Sequence, residues 1–317
     1  MQPRVGPRPL PLHLGTALMT WASSESAWKI WKPGSPSSNP SSAAPETLTS
    51  LLPEIAALEA SAGAGKFDLA LQREIARRMR RLADGVLAYR QHPVHRTLDN
   101  PPAVWTEGNT RLLDYGATHR AARKRGTRAV LVVPSLINRW EVLDLTAEKS
   151  LLRAMAAAGL RPYLVDWGTP NDEERRFDST AYVARLERAL GFVAKRARRA
   201  PAVMGYCMGG ALTIAAAVHV PEFSAGVCFY GIPPKAFADP AKIRMPLQGH
   251  FANRDDWCTP AAVDDLERTL KTAGVRHEIY RYDAAHAFAN ERSAAYDVAC
   301  ANQAWEHMAA FLGAQIA

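Results

Sequence analysis

The sequence contains few of the residues that bind metals or form disulfide bonds. It has four cysteines in 317 residues, and none of them forms a CxxC pair. This spacing fits neither a disulfide framework nor a zinc site. Free thiols persist in a reducing compartment, so we predict a cytoplasmic protein. The cysteine spacing also predicts that no metal is bound.

The sequence also lacks the motifs that would direct its basic charge towards a nucleic acid. It carries 39 Lys and Arg against 31 Asp and Glu. It has no zinc finger, no glycine-rich phosphate loop and no aromatic–basic RNA motif. We therefore interpret arginine runs such as residues 77–81 as solvated helix faces and expect no nucleic-acid partner. An anionic substrate, such as a coenzyme A thioester, is compatible with this charge.

No apolar run near the beginning of the chain is long enough to cross a bilayer. The stretch 10–22 is too short, and a proline and a histidine interrupt it. Trp21, Trp28 and Trp31 fall near one face of a possible helix, which we expect to pack on the rest of the protein. The alternative is attachment of this helix to a hydrophobic surface.

Residues 1–100 are predicted to form a helical N-terminal extension that contains a linker. Residues 33–46 are rich in Pro and Ser with almost no apolar bulk, which is typical of a flexible segment. From Lys66 to Arg90, apolar residues recur every three or four positions, which predicts a helix with one buried stripe. Residues 93–108 contain prolines and are expected to be irregular.

Residues 101–317 show a different pattern, in which short apolar strands alternate with helices. Repeated β-α-β units with apolar strands indicate an α/β protein, with a mostly parallel central sheet and helices on both faces. We expect this region to be the catalytic domain. The predicted strands are residues 129–133, 162–166, 202–206, 226–230, 246–251 and 277–282.

The sequence Gly205-Tyr206-Cys207-Met208-Gly209-Gly210 lies between a predicted strand and a predicted helix. It has the form of a nucleophile elbow, with cysteine in place of serine. The glycines two residues before and two after the nucleophile relieve clashes in a strained turn. At the start of a helix, the dipole favours a thiolate on Cys207, and the Met208 amide can stabilise an oxyanion.

An acid and a base follow the nucleophile in the order that the hydrolase fold uses. Asp255 comes after the strand that ends at Phe251, with Asp256 as the nearest rival, and His286 comes after the next strand. Both lie where loops leave the carboxyl edge of a parallel sheet, which is where active sites gather. His250 could also reach the pocket, although we favour a histidine in the core.

The second oxyanion donor is expected in the loop after the strand 129–133. The backbone amides of Leu136 and Ile137 are the two candidates there. Together with Met208, they complete the predicted oxyanion hole.

From about residue 201 to 315 the chain resembles the dienelactone hydrolase family. The resemblance is carried by GYCMGGALTIAAA, VCFYGIPP, GHFANRDDWCTP and YDAAHAFAN. It implies the α/β-hydrolase fold and a triad of Cys207, Asp255 and His286 that hydrolyses lactones and esters without a cofactor. Two positions depart from the family: Leu136 stands where a glutamate is usual, and Asn290, with Arg292 nearby, stands where an arginine holds a substrate carboxylate.

From about residue 100 to 215 the chain is instead similar to polyhydroxyalkanoate synthases and their hydrolase-like relatives. VLVVPSLINRWEVLDLTAEKSLL and PYLVDWGTP carry this second resemblance. Those enzymes use the same kind of triad to transfer hydroxyacyl groups from coenzyme A to a polyester. The two resemblances predict a mosaic of the two families, natural or engineered.

The sequence therefore predicts a hydrolase of a carboxylic ester or lactone that forms a thioester acyl-enzyme. One alternative is an acyltransferase that uses a hydroxyacyl-coenzyme A thioester. Another is a non-catalytic protein that binds a membrane or polyester-granule surface. The residues that we expect in the substrate pocket are Tyr206, Trp257, Phe288, Asn290 and Arg292.

Overall fold

The computed structural model of the protein describes residues 10–31, 46–63, 65–93, 96–123, 128–197, 199–291 and 293–316. These residues divide into two compact units, with the division between residues 95 and 96. The predicted linker 33–46 lies outside the described residues, except for Glu46, where a helix begins. Among the described residues, no helix has the length and apolar character needed to cross a membrane.

The described residues of the first unit form three helices, α1 (Leu10–Trp31), α2 (Glu46–Ala62) and α3 (Lys66–Gln91). Trp28 of α1 is buried against Phe67 of α3, with ring centroids 4.3 Å apart, and its indole N–H donates to Asp68. The prediction of a buried stripe on α3 is wrong, because none of its described residues is fully buried. Some of its apolar residues are partly buried, and others, such as Leu69, Met79 and Leu87, are exposed.

The second unit is built on one eight-stranded sheet, in the order β1-β2-β4-β3-β5-β6-β7-β8. Strands β3 to β8 run parallel, whereas β1 and β2 pair antiparallel at one edge. The strands are β1 (Ala103–Glu107), β2 (Thr110–Asp114), β3 (Arg128–Val133), β4 (Leu160–Asp166), β5 (Ala202–Tyr206), β6 (Gly226–Phe229), β7 (Leu247–Arg254) and β8 (His277–Ala285). The helices are α4 (Leu151–Ala157), α5 (Ser179–Ala194), α6 (Met208–His219), α7 (Pro260–Thr272) and α8 (Val298–Gln315).

The two faces of the sheet support two separate hydrophobic cores. Because successive side chains of a strand point to opposite faces, Leu131 and Val133 of β3 enter one core, whereas Val130 and Val132 enter the other. Residues of α5, α6 and α7 cover the first core, and residues of α4 and α8 cover the second. The predicted fold class, a mostly parallel α/β-hydrolase sheet between helices, is thus confirmed.

The strand β1 corrects the prediction that residues 93–108 are irregular. Its residues are half-exposed at the sheet edge, and it follows two prolines, so it lacks the apolar run of a central strand. Gly108, with a positive φ of 56°, turns the chain into β2. This hairpin extends the sheet on the side away from β8.

Candidate active site

Cys207 occupies a sharp turn between β5 and α6, near the middle of the sheet. Its φ of 55° and ψ of −121° are unusual for a residue with a side chain. A Cβ at Gly205 would lie 2.2 Å from the carbonyl oxygen of Gly209, and one at Gly209 would lie 2.0 Å from that of Val133. Only glycine fits at these two positions, because the backbone of the turn packs directly on itself and on β3.

A second strained segment lies against this turn, and sequence reasoning missed it. A Cβ at Gly231 would lie 2.1 Å from the carbonyl oxygen of Cys207. The preceding residue, Tyr230, has a φ of 36° and is buried. Its ring edge lies against the imidazole of His286, with centroids 5.1 Å apart. In the sequence, the only indication of this segment is that Tyr230 and Gly231 directly follow β6, and such a pair is common in loops.

The structure brings Cys207, His286 and Asp255 together. His286 Nε2 lies 3.3 Å from Cys207 Sγ, and His286 Nδ1 lies 2.7 Å from Asp255 Oδ2. Because the carboxylate can only accept, Nδ1 carries the imidazole proton, and Nε2 is left to accept the thiol proton. The three groups come from loops after β5, β7 and β8, at one edge of the sheet.

The Asp255 carboxylate is held by its own loop. It is 3% exposed, and its Oδ1 accepts the backbone N–H of Trp257 at 2.8 Å and that of Cys258 at 3.0 Å. These bonds leave Oδ2 for the imidazole. The rival Asp256 is exposed to solvent, so the structure distinguishes the two carboxylates by burial and by contact.

The surroundings of His286 favour its charged form. Burial alone lowers its pKa, but hydrogen bonds with Cys207 and Asp255 outweigh that effect and raise the pKa above the usual 6.5. The three remaining thiols lie in different environments. Burial raises the pKa of Cys258 to about 12 and that of Cys228 further still, and it also raises the pKa of Cys300. A raised pKa lowers the thiolate fraction at neutral pH, so these three thiols are poorer nucleophiles than an unperturbed one.

The predicted oxyanion donors lie at the start of α6 and in the loop after β3. Met208 is the first residue of α6, so its amide has no partner within the helix. Val133 and Pro134 pack against Gly209, which brings the 135–137 loop beside the same helix end. The Ile137 amide already donates to the Ser135 hydroxyl at 3.3 Å. The amide of Leu136 is therefore the better of the two candidates.

A buried cluster of charges holds the far end of that loop. Asp144 has no exposed surface and pairs with Arg153 at 2.8 Å and with Arg96. The Tyr115 hydroxyl donates to the same carboxylate at 2.9 Å. Burial raises the pKa of Asp144, but hydrogen bonds from Arg153, Ser150 and Arg96 outweigh it and lower that pKa. The carboxylate is thus held as an anion. Through Tyr115, Arg153 and Arg96 it connects the loop to the end of β2, to α4 and to the start of the second unit.

The five residues expected in the substrate pocket have different environments. Phe288 is fully buried, between Tyr230 and Tyr282, and offers no surface to a ligand. Tyr206 is partly buried and stacks on Phe229 at 4.4 Å. Asn290 is also partly buried, and Arg292 lies outside the described residues. Trp257 alone is widely exposed, at 74%.

His250 belongs to the core, as favoured from the sequence. It has no exposed surface, and burial lowers its pKa to about 3. Its Nε2 lies 2.8 Å from Gln248 Oε1 and its Nδ1 lies 2.8 Å from the Tyr282 hydroxyl. Because the amide oxygen only accepts, Nε2 carries the proton and the tyrosine donates to Nδ1. The ring is thus neutral and fully bonded. Among the described residues, no cluster of histidine, cysteine and carboxylate side chains could hold a metal ion.

Comparisons with known proteins match different parts of this architecture. Residues 173–316 match the model of the dienelactone hydrolase family. A "Poly(3-hydroxyalkanoate) polymerase subunit PhaC" of Haloarcula marismortui is 31% identical over 40% of this chain and 29% of its own length. A "Putative carboxymethylenebutenolidase" of Saccharolobus solfataricus is 31% identical over 39% of this chain and 48% of its own length. The chain therefore spans less than half of either relative.

Solved structures resemble this protein over a larger part of the chain than the sequence relatives do. Esterase 2 of Thermogutta terrifontis superposes with a TM-score of 0.54 over 70% of this chain and 96% of its own, at 18% identity. The predicted resemblance to both sequence families is confirmed, and the dienelactone hydrolase match begins at residue 173 rather than 201. The chain therefore has the fold of these hydrolases, and its residues 173–316 match the dienelactone hydrolase family.

Proposed function

We propose that this protein hydrolyses carboxylic esters or lactones, with Cys207 as nucleophile, His286 as general base and acid, and Asp255 as the group that orients the imidazole. The observation that carries the proposal is the pair of contacts at 3.3 Å and 2.7 Å that joins these three side chains. Similarity to the dienelactone hydrolase family supports the bond type.

The first half of the reaction forms a thioester. His286 Nε2 takes the thiol proton, and Cys207 Sγ attacks the carbonyl carbon of the ester. The amides of Met208 and Leu136 donate to the oxyanion. As the tetrahedral intermediate collapses, its bond to the alcohol oxygen breaks and His286 transfers the proton to that oxygen. The alcohol leaves, and the acyl group stays on the sulfur.

The second half returns the free enzyme. His286 takes a proton from water, whose oxygen attacks the thioester carbonyl. The carbon–sulfur bond then breaks, and the sulfur receives the proton from the imidazolium. The carboxylic acid leaves. Every proton in the two halves moves between His286, Cys207, the leaving alcohol and water.

Acyl transfer is the second candidate, because polyhydroxyalkanoate polymerases match part of the chain. In this reaction a thioester of coenzyme A acylates Cys207, and a hydroxyl group replaces water in the second half. The triad chemistry is otherwise the same, so the geometry alone does not separate the two reactions.

Purified full-length protein separates them in one two-substrate assay. We expect hydrolysis of an aryl ester or a dienelactone to be at least tenfold faster than release of coenzyme A from 3-hydroxybutyryl-coenzyme A. The opposite ratio would favour the transferase, and full esterase activity in Cys207→Ala would refute both. A cytoplasmic location and attachment of α1 to a membrane or polyester surface stay predictions from the sequence.

A further inference from the structure

The second unit exposes few large apolar side chains, and two of them adjoin the triad. Among its described residues, those that are at least one-third exposed are Val142, Met208, Trp257 and Val298. Met208 is 42% exposed and directly follows Cys207. Trp257 is 74% exposed, and its ring centroid lies 5.7 Å from that of His286. Exposed apolar surface concentrated beside reactive groups marks a binding surface.

Trp257 is held at this place by its backbone. Its amide donates to Asp255 Oδ1, and the amide of Cys258 donates to the same oxygen. The turn that fixes the catalytic carboxylate therefore also presents the indole. A large aromatic side chain that is fixed before binding loses little conformational freedom when a ligand covers it.

The position of the indole indicates which part of an ester it contacts. His286 must come within hydrogen-bond reach of the alcohol oxygen to protonate it. Tyr230 covers the buried side of the imidazole, at 5.1 Å, whereas Trp257 lies beside it at the exposed side. Carbon atoms attached to the leaving oxygen are then within reach of the Trp257 indole.

The charges around this surface disfavour an anionic alcohol. Asp256 is exposed directly beside Trp257 and repels anions. The surface thus combines an aromatic face with an exposed carboxylate.

We propose that Trp257 selects esters whose alcohol part is apolar, aromatic and uncharged. This inference rests on the proposed hydrolase function and deepens it, because it names the substrate class. Trp257 binds the leaving group and takes no part in proton transfer.

The test compares methyl butanoate with benzyl butanoate, which share an acyl group and have leaving alcohols of similar acidity. We expect the wild-type protein to have a higher kcat/KM for the benzyl ester. In Trp257→Ala the ratio of benzyl to methyl kcat/KM falls about tenfold, which corresponds to ~1.4 kcal/mol. The loss lies mainly in KM, because the indole contacts the ground state and the transition state alike. Trp257→Phe retains most of the selectivity.

Val298→Ala is the matched control, because it truncates an exposed apolar side chain at the start of α8 and keeps the ratio. A 4-carboxybenzyl ester is expected to react at least about tenfold more slowly than the benzyl ester. An unchanged benzyl-to-methyl ratio in Trp257→Ala, or equal losses on both esters, overturns the inference and leaves the hydrolase function in place. Failure of the wild type to hydrolyse any of these esters, an aryl ester or a dienelactone overturns the hydrolase function itself.

Discussion

The two units of this chain bury their apolar side chains to very different extents. In the helical unit, the large apolar side chains that are fully buried are Trp28 and Ile55, among the described residues. The same unit exposes eleven of the fifteen large apolar side chains that are widely exposed in the described chain. The α/β unit encloses two cores and exposes four, two of them at the triad. Exposed apolar side chains are thus spread along the helical unit, whereas the α/β unit has few of them and two lie next to Cys207 and His286.

Ion pairs show the same contrast. In the helical unit, Glu74 pairs with Arg77 and Arg78 at the protein surface, where such pairs contribute little. In the α/β unit, Asp144 pairs with two arginines inside the protein. A buried ion-pair cluster therefore holds a loop in place in the second unit, whereas in the first unit the helices pack through side chains such as Trp28 and Phe67.

The largest effect expected from this comparison is the loss of activity in Cys207→Ala. Without the sulfur there is no acyl-enzyme, so kcat/KM for an aryl ester falls by at least about 10³-fold. Steady-state hydrolysis measures it. Cys300→Ala, which removes a partly buried thiol whose pKa is raised, keeps at least half of the wild-type rate. Equal losses in both variants would mean that no single thiol carries the reaction.

The next largest effect concerns the buried charge cluster. Asp144→Asn leaves two arginines facing a neutral side chain, and we expect the free energy of unfolding to fall by about 3 kcal/mol. Chemical denaturation at pH 7 checks this value. Glu74→Gln in α3 is the matched change at an exposed pair, and it should leave the denaturation midpoint unchanged. A comparable loss in both variants would remove the contrast between the units.

The buried His250 gives a smaller effect that depends on pH. Its folded pKa of about 3 lies below the unfolded value of 6.5, so only the unfolded chain binds a proton between these values. Stability is therefore lost as pH falls below 6.5, by about 2 kcal/mol between pH 7 and pH 5. His250→Gln lacks this contribution, so denaturation of the variant should show a shallower pH dependence. Parallel curves for the two proteins would show that His250 is not buried neutral.

The smallest effect is a shift of the pH–rate profile. The base form of His286 is needed for attack, and its pKa is raised, so kcat/KM falls as pH decreases through a value above 6.5. Asp255→Asn removes one of the bonds that raise this pKa. The acid limb of the residual activity should then move to lower pH. An unmoved limb would mean that another group controls it.

The sequence was sufficient to predict which three side chains the structure brings together, because each of them has a local signal. Glycines at 205 and 209 are needed where the backbone packs on itself, and chain order assigns Asp255 and His286 to neighbouring loops. Asp255 and Asp256 are adjacent and chemically identical, so only their different burial in the structure distinguishes them. Tyr230 escaped notice because its role arises from contact with a residue 56 positions away, which no local pattern encodes.

The sequence-based predictions were wrong for elements whose burial depends on the residues packed against them. The periodicity of α3 is helical, but burial of its stripe depends on neighbours that the sequence does not specify. The edge strand β1 has no apolar run because one of its sides has no neighbouring strand. The Asp144 cluster joins Arg96 and Asp144 across 48 positions, so charge counting could not find it.

Trapping the thioester tests the central claim most directly. The full-length protein is mixed with an excess of an aryl ester, quenched in acid within milliseconds, and analysed by intact mass and peptide mapping. We expect one acyl group per chain, attached to Cys207, and none in Cys207→Ala. Acylation of Cys228, Cys258 or Cys300 instead, or rapid turnover with the acyl group on a residue other than cysteine, would contradict the proposed mechanism.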